Sequence, residues 1–144
     1  MPLDQLYVER NRASTNRIRE MAARLSDDEL RRPVGEHWTV AILLAHLAFW
    51  DRRSSYVLDM TERDQKLVVR EIDIHVNDLL LPFWAAIPPR VAARLAVEAA
   101  EAVDQRLESY PAALLEEIYA YNPRWVVRAE HRGHHLDEAD AALK

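Results

Sequence analysis

HWTVAILLAHLAFWDRRSSYVLDM, residues 37–60, is the stretch whose reading decides the fold. It reads as a long helix over about residues 39–60, with Thr39 as its N-cap and Trp38 placed to staple onto the first turn. With His46 at zero on a helical wheel, Ile42 and Phe49 fall to one side, and Leu43 and Trp50 to the other. Val57, three turns on, lies almost beneath it. His46 is therefore centred on the apolar face.

Outward from this helix the chain keeps the same character. Residues 3–25 carry Leu3, Leu6, Ile18, Met21, Ala22 and Leu25 mainly at helical spacing, which predicts a first long helix. Ser26 heads a capping box, SDDE, and Pro33 and Gly35 then break the chain. Residues 61–73 are charged and read as a loop or the frayed end of the second helix. HVNDLLLPFWAA predicts a helix of about 12 residues, bent or ended near Pro82. Pro88 or Pro89 opens a further long helix to about Ser109, and Pro111 a short one to about Ala120. Asn122 and Pro123 start a last helix that is expected to run unbroken to Leu143. Four long helices with short accessory ones describe an all-α four-helix bundle, expected as one domain over residues 1–144.

Composition narrows the functions. Only 2 glycines occur in 144 residues, which argues against a turn-rich β fold and against glycine-rich phosphate loops. The net charge is -5 and the basic residues are scattered, so no nucleic-acid partner is expected, DNA repair included. There is no cysteine, so any metal must be held by histidine and carboxylate, and any reacting thiol must come from outside. No signal-peptide core and no run of the roughly 18 apolar residues a span needs is visible, so neither a leader nor a membrane partner is expected, and the location is expected to be cytoplasmic.

The six histidines divide by position. His46 faces the core, either as a satisfied core histidine or as a metal ligand. His131 and His135 stand four apart, so on a helix they stack on one face, where two imidazoles can reach one ion. Trp125, Ala129, Leu136, Ala139 and Leu143 mark the inward side of that helix. The pair borders it, and His134 points away. The alternative is a solvated polar helix end. This is not a zincin motif, because Arg132 stands where that motif has glutamate. Arg132 itself projects toward the apolar side, as if snorkelling. His37 and His75 sit at helix starts as exposed or capping residues. His46 with His131 and His135 would give three nitrogens and open positions, the pattern of a catalytic-type divalent site. Arg128, one turn before His131, is a candidate for holding an anionic group of a ligand, against a plain surface role. Asp51 and Glu130 are candidate partners for the ligand imidazoles, against plain surface roles.

WTVAILLAHLAFWDRR (Trp38–Arg53), with its central histidine, resembles the second-helix signature of the DinB-like superfamily, which includes mycothiol-dependent maleylpyruvate isomerases and bacillithiol S-transferases. AEHRGHHLDEAD resembles the matching last-helix H-x-x-x-H segment, and NDLLLPFWAAIPP and NPRWVVRAEHR are similar to the same branch. The resemblance implies an up-down-down-up bundle and a three-residue metal site, usually zinc or nickel, carried over to His46, His131 and His135. Some members have glutamate where His131 stands. It also implies a homodimer and a small-molecule ligand. The activity it implies is thiol-dependent transfer or isomerisation, with a low-molecular-weight thiol activated at the metal. The other expectation is a non-catalytic, metal-binding or stress-related homodimeric interaction protein.

Overall fold

The computed structural model describes residue 3 and residues 5–144. Seven helices appear there: α1 (Tyr7–Arg24), α2 (Asp27–Leu30), α3 (Val40–Asp64), α4 (Val76–Ala85), α5 (Pro89–Glu108), α6 (Ala112–Tyr121) and α7 (Ala129–Leu143). Two short strands, β1 (Pro33–Val34) and β2 (Trp38–Thr39), pair antiparallel between α2 and α3. Gly35 in the turn between them has φ 68°, which glycine adopts without a Cβ penalty.

The helix starts follow side-chain chemistry. Thr39 Oγ1 accepts the Ile42 N–H at 3.2 Å and opens α3. Ser26 and Glu29 satisfy each other's backbone N–H groups in a full capping box. α3 runs four residues past the expected Met60, to Asp64. It stops at Gln65, whose left-handed φ of 53° ends the helical path. Pro82 lies inside α4, which continues to Ala85 rather than stopping there. α1 begins at Tyr7, later than expected; of the earlier stretch, residue 4 lies outside the described residues.

Side-chain pairings set the helix directions. Arg12 meets Glu108, Thr15 meets Asp104 and Arg19 meets Glu101, so α1 and α5 are antiparallel. Asn11 meets Arg128 and Arg17 meets Asp140, so α1 and α7 run parallel. Asp51 meets Arg128 while His46 meets His131, so α3 and α7 are antiparallel. The topology is up-down-down-up. α3 and α5, both down, need a crossover the length of the bundle, and the segment containing α4 provides it.

The last helix is not continuous as expected. A single 3-10 turn, Pro123–Trp125, is followed by a break before α7. Asn11 on α1 explains the break. Its Oδ1 accepts the N–H groups of Arg128 (2.9 Å) and Ala129 (3.1 Å), and its Nδ2 donates to Val126 O (2.8 Å). Arg128 offers α7 no side-chain cap of its own. A residue from the other end of the chain satisfies amides that a local cap would otherwise serve.

Two apolar clusters fill the bundle. One gathers the first turns of α3 with α5, Trp84 and Leu136; the other gathers Val57, Leu58, Val103, Leu107 and Ile118. Residues 40–47 are buried on every side, as a helix apolar all round must be. A buried polar group also lies inside the bundle. Arg132, expected to snorkel, is 0% exposed. Its Nε donates to Asp51 Oδ2 at 2.9 Å, its Nη1 to Asn11 O, Ser14 Oγ and Thr15 Oγ1, and its Nη2 lies 3.0 Å from Asp104 Oδ1. Burial opposes its charge, but Asp51 and Asp104 outweigh burial and raise its pKa.

Candidate metal centre

The three inward histidines meet. α3 supplies His46; α7 supplies His131 and His135, one turn apart. One ligand atom from each can be chosen so that all three lie within 4.8 Å of one another. His46 Nε2 and His131 Nε2 are 3.1 Å apart. Two nitrogens at about 2.0–2.1 Å from one tetrahedral ion lie about 3.3–3.4 Å apart, so this spacing fits a shared ion. His46 is buried, His131 and His135 are half-buried, and the group can hold a metal ion.

The environment keeps these imidazoles neutral. Burial, aided by His135, pushes His46 down from 6.5 to about 3. Burial, aided by Arg128, pushes His131 to about 2. Burial lowers His135 as well, against the pull of Glu138. A neutral imidazole keeps a lone pair for a cation. The rings are held among aromatics. Trp38, expected as a staple, tilts over His46 with centroids 4.7 Å apart and stacks on His135 at 5.8 Å. Trp84 meets His46 edge-on at 5.3 Å.

Hydrogen bonding separates the three. His135 Nδ1 is 2.6 Å from Glu138 Oε1; a carboxylate accepts, so Nδ1 carries the proton and Nε2 the lone pair. This is the carboxylate–histidine arrangement of metal sites. His46 Nδ1 and His131 Nδ1 are buried with no hydrogen-bond partner. A core histidine kept for packing would be satisfied; these are not, and their Nε2 atoms converge.

The other sequence candidates fall differently. Asp51 touches no histidine; it is engaged by Arg128 and Arg132. Glu130 is exposed, and Glu138, overlooked in the sequence, takes the partner role at His135. Glu138 stands three after His135, a helical neighbour that the i, i+3 rule would have found. His134, His37 and His75 have exposed side chains. The backbone N–H of His75 is taken by Asp73 Oδ1 rather than His75 serving as a side-chain cap. Arg128 is no surface residue: it is 7% exposed, with Nε on Asp51 and Nη1 on Arg124 O.

A cavity of about 480 Å³ opens over the histidines, lined also by Trp38, Trp50, Trp125, Arg53, Arg124 and Arg128. Arg53 is sandwiched between aromatic faces, 4.5 Å from the Trp125 ring and 5.5 Å from Trp50. Arg53 was overlooked, although it stands two turns below His46 on the same wheel. Trp50 Nε1 donates to Asn77 Oδ1 at 2.9 Å, which ties α4 to this wall.

Fold and site together define a class: an all-α bundle whose core carries a histidine cluster able to hold a metal ion, under an open cavity. The chain belongs to the mycothiol maleylpyruvate isomerase N-terminal domain family, a DinB-like superfamily domain, whose family model matches residues 11–134. The match includes His46 and His131 and ends one residue before His135. No curated protein and no solved structure gives a match to this chain. Among the described residues, no helix is long and apolar enough to cross a membrane.

Proposed function

We propose that the chain is a metal-dependent domain for thiol chemistry on a small molecule, an S-transferase or isomerase of the mycothiol-dependent type. One observation carries it: three neutral imidazoles, one buried and two half-buried, converge at the foot of a cavity open to a ligand. His46, His131 and His135 hold the ion, and imidazole donors suit zinc or nickel. When bound, such an ion lowers the pKa of a thiol or water that joins it and supplies a nucleophile at neutral pH.

The chain's own residues do the rest. Glu138 holds the His135 proton at Nδ1, which keeps Nε2 turned inward. Trp38, Trp50 and Trp125 wall the cavity with apolar surface. Arg128 and Arg53 present positive charge beside the histidines and suit an anionic group on the ligand. With no cysteine in the chain, the thiol is a free small molecule. A homodimer is part of the proposal; exposed Leu79 (72%) and Phe83 (69%) on α4 are apolar surface of the kind a second copy covers.

The test is metal analysis of the purified protein beside His46→Ala and His135→Ala, followed by thiol-transfer assays with low-molecular-weight thiols. Metal in the wild type, lost in both variants, is expected, together with transfer activity that tracks metal content. Unchanged metal in both variants defeats the site assignment. Full metal with no thiol-dependent turnover defeats the enzyme reading alone.

A further inference from the structure

Resting on the metal-centre reading, we propose that Asp51 is a positioning residue for the centre. Its carboxylate meets Arg128 and Arg132, the two arginines that bracket His131, and so sets α7 against α3 at the level of the histidines. The geometry is two-handed. Asp51 Oδ1 takes Arg128 Nε at 3.0 Å and Oδ2 takes Arg132 Nε at 2.9 Å. Asp51 is 1% exposed, and it shares α3 with His46.

The ligand set makes this clamp matter. α3 contributes only His46, while α7 contributes both other histidines. Any slide of α7 along α3 moves two ligands away from the third. Sites of this kind depend on sub-ångström placement by supporting groups. His135 has Glu138 to orient it, but His46 Nδ1 and His131 Nδ1 have no partner. No hydrogen bond at Nδ1 fixes either ring, so ring packing and the placement of their helices must do so. Asp51 joins those two helices through charge-assisted bonds on both sides of His131. Asp104 engages the same Arg132 from α5, through Nη2, and is not bonded to Arg128. It loads the network without joining α3 to α7.

That contrast supplies the experiment. Asp51→Asn and Asp104→Asn are prepared metal-free beside wild type and titrated with cobalt(II), reading both affinity by chelator competition and the visible ligand-field bands. The wild type is expected to bind one cobalt ion per chain. Asp51→Asn is expected to bind about 10–100-fold more weakly, with altered band intensity. Asp104→Asn is expected to lose stability yet keep its affinity within about twofold and its spectrum unchanged. If Asp51→Asn fails to fold, Arg128→Lys, which keeps charge but loses the Nε arm, is expected to show a smaller shift in the same direction. Parallel losses in Asp51→Asn and Asp104→Asn, or an unshifted spectrum in Asp51→Asn or its Arg128→Lys substitute, overturn the inference alone. A wild type that takes no cobalt overturns the metal-centre reading and this inference with it.

Discussion

His131 and Arg132 are neighbours in the sequence and point into two unlike interiors. Arg132 enters a polar group in which its guanidinium meets two carboxylates, two hydroxyls and two backbone carbonyls. His131 enters an aromatic pocket in which one ring nitrogen has no partner and the other faces a second histidine. The first region is charged and densely bonded, although Asp104 Oδ1, 3.0 Å from Arg132 Nη2, has no hydrogen bond; in the second, the imidazoles are neutral and two of their ring nitrogens have no partner. A densely bonded buried network specifies structure, since most of its bonds are already made. An unsaturated cluster of lone pairs is poised for a ligand. Adjacent residues on α7 thus divide the work: one secures the helix and the other faces the candidate metal site.

Substitutions can break that division, beginning with the largest effect. Arg132→Ala leaves Asp104 buried without its cation and Asp51 with Arg128 alone, and is expected to cost about 3–5 kcal/mol of stability, measured by urea unfolding. A smaller loss than Arg128→Ala would contradict the assignment of Arg132 as the centre of the network. His131→Ala, one residue away, is expected to remove metal binding while costing about 1–2 kcal/mol in the metal-free protein. Equal stability losses for the two neighbours would erase the distinction between the regions.

Acid sharpens the same contrast. His46 and His131 stand near 3 and 2 when folded, against 6.5 ordinarily. Between those limits the unfolded chain binds protons that the folded chain refuses, so stability falls as pH drops below 6.5. The slope is about 1.4 kcal/mol per pH unit for each imidazole. Urea midpoints between pH 7 and pH 4 should fall less steeply in His46→Phe than in wild type; matching slopes would remove His46 from the account. The smallest effect belongs to Glu138→Gln. Its bond to His135 is partly exposed, so stability should move by less than about 0.5 kcal/mol. Metal affinity should still fall measurably, because the His135 tautomer is no longer fixed. A stability loss without an affinity loss would make Glu138 structural only.

Much of this was legible in the sequence where the signal is local. The wheel around His46, the Thr39 and Ser26 caps, the proline starts and the inward His131–His135 pair all depend on residues within a few turns of one another. The misreadings involve partners far apart. Arg132 looked like a snorkelling residue because its carboxylates, Asp51 and Asp104, lie on other helices. Asp51 read as an imidazole partner or a plain surface residue because nothing in its own helix reveals the two arginines waiting at the start of α7. The final helix looked continuous because NPRW is a sound start signal. Its interruption is imposed by an asparagine 117 residues away.

That asparagine has a consequence for how the chain comes together. α7 is a poor helix in isolation, with a glycine and three histidines in its first two turns, and its opening amides are closed by Asn11. It can consolidate only after α1 has docked, so the two ends of the chain form one cooperative unit despite their separation in sequence. Long-range closure of this kind slows folding, because the entropy of closing the loop comes before the contacts that offset it. Amide hydrogens of Arg128 and Ala129 should therefore exchange with solvent only when α1 is released as well. Two of the three histidines ride on α7, so the placement of the centre depends on both ends of the chain.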